Sequence, residues 1–362
     1  MNPDAMKEVS AAAPSGMPST PGGWLQDWRF WLGMAITAVS VWLAVRGIPL
    51  GDVLAAMERA NFGLLLIASA PFYVLSVYLR ALRWRHLTDP VAKISTRSLF
   101  RAASIGFLVN NLLPLRIGEL VRSVTLANEA GVSRSAILGT VVIERVLDVI
   151  AVLLLAAFSL SWVGRHSDAA GILQEGSMLL LPVAAAPLVA LVALRMAPGP
   201  LIGFAVWLMR PLPSRFSSLV ERMLRGFSEG LGALGRGGHL FWIGLHSASI
   251  WLVASTGPIL LGFWAFGPEV VHFDSPREML ITAWVLLAAV GVAVALPSAP
   301  GFIGPYQLAF QAVLVRFGVE PAAALAMGVL VWAAFWITLT AQGVIVLRLS
   351  RTSIAELTRR SG

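Results

Sequence analysis

Residues Ala322–Leu347 read AAALAMGVLVWAAFWITLTAQGVIVL, with no charged side chain. A helix needs about 20 mainly apolar residues to cross the hydrocarbon core of a bilayer, and this run is long enough. Six more apolar runs resemble it: Phe30–Val45, Phe62–Leu79, Ala136–Val163, Ser177–Leu194, Leu240–Phe266 and Met279–Leu296. Across all 362 residues, 57% are apolar and 13% are charged, about half the charged share of an ordinary soluble chain. Too little polar surface exists to cover such a chain in water. The expected fold is an all-α polytopic membrane protein of about 7–8 transmembrane helices.

The net charge of +8 is unevenly placed. Arg80–Arg101 nets +5, Arg195–Arg236 nets +4 and the tail from Arg348 nets +3, so the rest of the chain nets −4. Basic clusters between apolar runs mark loops kept in the cytoplasm, where they attract anionic headgroups. No nucleic-acid-binding signature accompanies them, so nucleic acid is not the expected partner. With no cysteine, disulfides, Fe–S clusters, thiolate metal sites and cysteine nucleophiles are excluded.

Residues 1–23 are rich in Pro, Gly, Ser and Ala and read as a disordered tail. A single membrane domain is expected over 24–348, with a basic tail at 349–362. Trp24, Trp28 and Trp31 mark an interfacial belt at the first run. Leu50–Ala60 and Phe216–Leu234 are amphipathic at helical spacing. The second, with arginines between its apolar positions, reads as an in-plane interfacial helix or as a loop helix packed on other loops.

Two segments, about 105–128 and 292–318, are apolar but broken by Pro and Gly. In the first, Pro114 precedes Gly118 and Gly131-Val132 follows; in the second, Pro300 precedes Gly304 and Gly318-Val319 follows. A long apolar run comes after each. The shared spacing suggests a weak internal repeat of re-entrant segments. Paired interrupted segments of this kind point to a transporter's substrate site. The alternative is two unrelated loops that both use Pro and Gly. Placing the basic loops inside puts the N-terminus in the cytoplasm. An eighth crossing through the second break brings the basic C-terminal tail there too.

Few charges lie inside the apolar regions, and each is costly there. Asn110 and Asn111 precede the first break, where they can serve backbone groups freed by Pro114 and Gly118. Arg116, Glu119 and Arg122 follow. Glu119 and Arg122 share a helix face, as do Glu144 and Asp148, with Arg145 three residues from Asp148. Arg116, Arg122 and Arg145 formally offset Glu119, Glu144 and Asp148, giving a neutral six-member network. One reading is a structural lock between the broken segment and the next span. The other is a site where arginines hold a lipid phosphate or a carboxylate carries a proton. Arg80, Arg83, Trp84 and Arg85 end the second run, either as snorkelling anchors or as a headgroup-recruiting patch. The second break carries Pro297, Pro300, Gly301 and Gly304, with polar tips at Tyr306 and Gln307.

The order Asn110, Pro114, Arg116, Gly118, Glu119, Arg122, then Glu144-Arg145 with Asp148, then Pro297, Pro300-Gly301, Gly304 and Tyr306 resembles the lysylphosphatidylglycerol synthase transmembrane-region, or flippase-like, family. Arg80-x-x-Arg83-Trp84 fits it as well, and the resemblance spans about residues 30–348. It implies a stand-alone lipid translocator or lipid-handling protein, without the aminoacyl-transferase domain that some members carry. Two positions depart from the family's pattern: Phe302 follows Gly301 where a second glycine is usual, and Gln307 stands in place of a glutamate.

The expected function is translocation of an anionic, polyprenyl-linked, saccharide-bearing or hopanoid-type lipid across a bacterial cytoplasmic (inner) membrane, with both termini cytoplasmic. No Walker A sequence is present. An intramembrane lipid-modifying transferase is the first alternative, but there is no Asp-x-Asp or His-x-x-x-His. The five histidines (86, 166, 239, 246 and 272) are dispersed in sequence. No catalytic residue, metal or cofactor is therefore expected. The second alternative is a non-catalytic partner of a lipid or envelope biosynthesis enzyme, docking through 216–234.

Overall fold

The computed structural model describes residues 28–113, 116–166, 196–209, 238–295 and 298–350, with isolated positions elsewhere between 189 and 228. The expected tails, the Ser177–Leu194 run and the 216–234 helix lie wholly or mostly outside these residues, as do Trp24, Pro114 and Pro297. All regular structure among the described residues is helical.

Helix α1 (Trp28–Val45) meets α2 (Leu50–Arg59) at 81°. The corner holds Gly47 at φ 76° and Pro49 as the residue before α2. Helix α3 (Phe62–Thr88) starts on the Asn61 side chain, which accepts from the Leu64 amide at 3.0 Å. It runs well past the expected end at Leu79, so Arg80, Arg83 and Trp84 are helical rather than loop residues. Next come α4 (Thr96–Leu112), α5 (Gly118–Ala130) and α6 (Arg134–His166), then α7 (Pro198–Leu208). Helices α8 (His239–Ser249) and α9 (Thr256–Phe266) are joined by a π-helical segment, Ile250–Ser255. Helix α10 (Pro276–Ala293), a 3₁₀ turn (Pro300–Phe302), α11 (Pro305–Arg316) and α12 (Pro321–Leu349) complete the order.

Among the described residues, four rods are long and apolar enough to cross a membrane: α3, the joined α8–α9, α10 and α12. The bent pair α1–α2 makes a fifth if it counts as one span. Helix α6 has 33 residues but carries Glu144, Arg145 and Asp148. Ile67, Trp264, Trp42 and Phe158 stand exposed. Such large apolar faces suit lipid and not water. The protein is an integral membrane protein, as its apolar runs implied.

Helix α12 is the central post, packed against α2, α3, α4, α9 and α11. Its small residues allow close approach, the usual means of helix association in a bilayer. A Cβ on Gly343 would lie 2.5 Å from Leu108 Cβ, and one on Gly328 would lie 2.7 Å from Phe310 Cβ.

Both broken segments contain real breaks. Helix α4 stops at Leu112, and α5 starts at Gly118 and packs back on α4. At 17 and 13 residues, these helices are about 25 and 20 Å long, short of the ~30 Å hydrocarbon core. In the second segment the chain turns between Ala293 and Gly304 and re-forms as α11, of 12 residues. Each short helix is followed by a glycine at positive φ, Gly131 (66°) or Gly318 (81°), and then by a long helix.

Candidate functional site

Helices α3, α5, α6 and α8 converge on one buried cluster of charge. On α6, Glu144 and Asp148 lie one turn apart and face α3, where Arg80 and Arg83 have matching spacing. Arg83 Nη2 is 2.8 Å from Asp148 Oδ1 and 3.5 Å from Glu144 Oε1, while Arg80 Nη1 is 2.9 Å from Asp148 Oδ2. Arg145 Nη2 reaches both carboxylates, at 2.8 Å to Glu144 Oε1 and 3.1 Å to Asp148 Oδ2. Arg122 of α5 closes the cluster with Nη2 3.0 Å from Glu144 Oε2, out of line for a hydrogen bond. Glu144 and Arg83 are completely buried. Arg145 is the open member, with 40% of its side chain exposed.

Neutral groups hold the cationic side chains in place. The Arg122 guanidinium lies over the Trp84 ring at 4.7 Å, a favourable desolvated cation–π contact. Trp84 is itself fixed by Nε1 donating to Thr140 Oγ1 at 2.8 Å. Arg83 Nη1 donates to Ser247 Oγ of α8 at 3.1 Å. Arg80 lies over the Trp251 ring at 5.7 Å. Trp251 belongs to the π-helical segment, a local irregularity often found at functional sites.

The expected neutral network needs correction. The ion pairs join four arginines (80, 83, 122 and 145) to two carboxylates, Glu144 and Asp148. Glu119 does not pair with Arg122, despite their shared face, and makes no ion pair among the described residues. Its carboxylate accepts from Asn110 Nδ2 at 3.1 Å, while Asn110 Oδ1 accepts from the Gly118 amide at 2.8 Å. Asn110 thus caps the broken end of α5, as a freed backbone group in a membrane requires. Arg116 points elsewhere too. Arg80 and Arg83, expected at the interface or in a surface patch, lie inside the cluster because α3 continues for more than two turns beyond Leu79.

The two breaks meet through Arg116. Its Nη1 donates to the Ala295 carbonyl at 3.2 Å, and its guanidinium lies over Phe302 at 5.0 Å. Both residues have positive φ, 55° for Arg116 and 65° for Phe302, an uncommon conformation without glycine. Phe302, a departure from the family's pattern, is therefore a contact between the segments. Two indoles of α12 clamp the breaks: Trp336 Nε1 donates to the Asn111 carbonyl at 3.2 Å and Trp332 Nε1 to the Gly301 carbonyl at 2.6 Å. Asn111 Nδ2 donates to Thr340 Oγ1 at 3.1 Å, and Thr37 Oγ1 of α1 accepts from the Ala299 amide at 2.8 Å.

Tyr306 and Gln307 do not join the charge cluster. Tyr306 is buried in a stack with Phe310 and Phe335. Gln307 Oε1 accepts from the Gly304 amide at 2.7 Å and so caps α11. Both are structural partners of the second break.

The histidines are less dispersed than their numbers suggest. Where α8 packs on the end of α3, His86 Nδ1 is 3.1 Å from His239 Nδ1, and the His86 ring stacks on His246 and Trp242. The ligand atoms of His86, Asp89 and His239 lie within 4.8 Å of one another. That donor set has the chemistry of a three-ligand zinc site, although the histidine pair also satisfies itself by hydrogen bonding. Sequence reasoning missed this group, as it missed Ser247, Trp251, Trp332 and Trp336.

Residues 30–343 match the lysylphosphatidylglycerol synthase transmembrane region. The chain belongs to that family. This lysylphosphatidylglycerol synthase-type membrane chain is also 25% identical, over 321 residues, to a protein of Haloferax volcanii named glycosyltransferase AglD. The match covers 82% of this chain and 50% of the relative, so the chain spans about half the length of the curated relative it matches. No solved structure matches it.

Proposed function

We propose that this chain moves an anionic lipid across the membrane, with the headgroup held at the arginine cluster beside the two breaks. One observation carries the reading: Arg83 and Arg122 are buried, yet several guanidinium nitrogens of the cluster have no hydrogen-bond partner among the described residues. A buried unmade charged hydrogen bond is costly, and an anionic ligand supplies the missing acceptors. The forked geometry of arginine suits phosphate oxygens. The opening at Arg145 gives the headgroup a way in while the tails stay in lipid.

In this reading, α4–α5 and the loop into α11 are paired re-entrant segments of an internal repeat, within about 7–8 crossings. The matching order of break, short helix, glycine at positive φ and long helix supports it. The membrane is the cytoplasmic one, with both termini inside. The test is reconstitution of the purified chain in vesicles with a fluorescently labelled anionic lipid. Wild-type protein equilibrates the label between leaflets and Arg122→Ala does not; no movement by the wild type above protein-free vesicles refutes the proposal.

A second reading, a lipid-modifying transferase, is favoured by the relative's name and by the His86–Asp89–His239 donor set. A metal-dependent change in the mass of a lipid substrate would establish it.

A further inference from the structure

The arginine cluster has a charge excess of definite size. Arg80, Arg83, Arg122 and Arg145 share two carboxylates, Glu144 and Asp148. Arg116 and Glu119, outside these pairs, cancel each other formally. The cluster is therefore two charges positive. Proton movement within it cannot remove that excess. Arginine keeps its proton in proteins, and protonating either carboxylate makes the excess larger. An unbalanced buried charge is among the most expensive features a fold can hold. Among the described residues no further carboxylate joins the cluster, so an added anion would balance it.

The unsatisfied donors have the same preference. Arg122 Nη2 faces Glu144 Oε2 at 3.0 Å, but Arg80 Nε, Arg83 Nε, Arg122 Nε and Arg145 Nε are all buried without a hydrogen-bond partner among the described residues. So is the indole Nε1 of Trp251, whose ring lies beside Arg80. These donors come from α3, α5, α6 and the π-helical segment, so they surround the cluster. An anion that used them needs several acceptor oxygens and more than one charge.

We infer, resting on the anionic-lipid reading above, that the headgroup taken here carries two negative charges: a lipid phosphomonoester or diphosphate. A zwitterionic headgroup would leave the whole excess in place. A phosphodiester such as phosphatidylglycerol would leave one positive charge. A phosphomonoester, with its second pKa near 6, carries about −1.5 to −2 at neutral pH and presents three terminal oxygens to the guanidinium forks. The headgroup enters past Arg145, the half-open member of the cluster.

The experiment uses the full chain in mild detergent at pH 7.5. It is incubated with vesicles of phosphatidylcholine containing equal amounts of phosphatidic acid and phosphatidylglycerol with matched acyl chains. The protein is re-isolated and its retained lipid quantified by mass spectrometry. Phosphatidic acid is expected to exceed phosphatidylglycerol by about tenfold, the effect of one extra charge in a weakly screened site. Arg145→Gln, which removes one positive charge at the open edge, brings the ratio to within about twofold; Arg80→Gln serves if that variant does not fold. Equal retention of both anionic lipids, above phosphatidylcholine, overturns the two-charge assignment and leaves the anionic-lipid reading standing. Retention no better than phosphatidylcholine overturns both. In a further arm, inorganic phosphate is added alone. Thermal protection equal to that of phosphatidic acid supports the two-charge site but makes its ligand the free ion and not the lipid.

Discussion

Replacing Glu144 with glutamine tests the cluster most directly. The side chain is fully buried, with guanidinium nitrogens of Arg145, Arg122 and Arg83 at 2.8, 3.0 and 3.5 Å. Glutamine keeps the shape and most acceptor capacity but removes the charge. The local excess rises from two positive charges to three, and Arg122 loses its carboxylate. Each close pair gains about 4 kcal/mol of Coulomb attraction at an effective dielectric near 20, offset by several kcal/mol of desolvation per ion. Breaking such a buried pair from one side typically costs about 3–5 kcal/mol. With about 2–4 °C lost per kcal/mol for large domains, the melting temperature in detergent should fall by about 6–20 °C. Thermal unfolding by intrinsic tryptophan fluorescence reads this out. The double variant Glu144→Gln/Arg122→Gln should recover part of the loss, because it removes a stranded charge as well. A Glu144→Gln protein melting within about 2 °C of the wild type would show that the carboxylate holds no buried charge, and the reasoning about the cluster would fall.

Two further variants probe the broken segments. A Cβ at Gly118 would lie 2.1 Å from the Gly106 carbonyl oxygen and 2.5 Å from Asn110 Oδ1. Gly118→Ala must therefore push α5 off α4 and should cost about 1–3 kcal/mol by overpacking, read as a lower melting temperature; an unchanged one would contradict the close approach. Trp332→Phe keeps the ring but removes the donor to the Gly301 carbonyl. It should cost about 0.5–1.5 kcal/mol and slow lipid movement in vesicles, whereas unaltered transport would mean that the second break works without this clamp.

Much of this structure was legible in the sequence because two constraints of the bilayer are severe. Long uncharged runs have few options there, so α3, α8–α9, α10 and α12 were visible as lengths of apolar chain. Breaks demand Pro and Gly, so both were visible too, and Asn110 was readable as their polar support. The site was legible in its ingredients and not in its pairing. Glu144, Arg145 and Asp148 advertise themselves inside an apolar run, but their main partners on α3 sit where a run of about 20 residues already suffices to cross. Arg80 and Arg83 therefore read as interface residues. Spacing within a helix also misled: Glu119 and Arg122 share a face, yet Arg122 pairs with Glu144 of another helix. Long-range pairs such as His86 with His239 leave no local signal at all.

On the proposed reading, the balance of charge decides what the cluster does. Three arginines against three carboxylates describe a closed lock, content without a ligand. Four arginines against two carboxylates describe a lock that stays charged when shut. Its opening lies at Arg145, and its far side touches α8 at Ser247 and the π-helical segment at Trp251. A headgroup that fills the excess would bridge α3, α5, α6 and the π-helical segment at once. Its departure would leave like charges facing each other across the same helices. On the proposed reading, the same arginines would make the loaded and empty states differ in energy. A ligand can shift a conformational equilibrium only by its differential affinity for the two states, and in the proposed transporter that difference would be built from charge the fold leaves unbalanced.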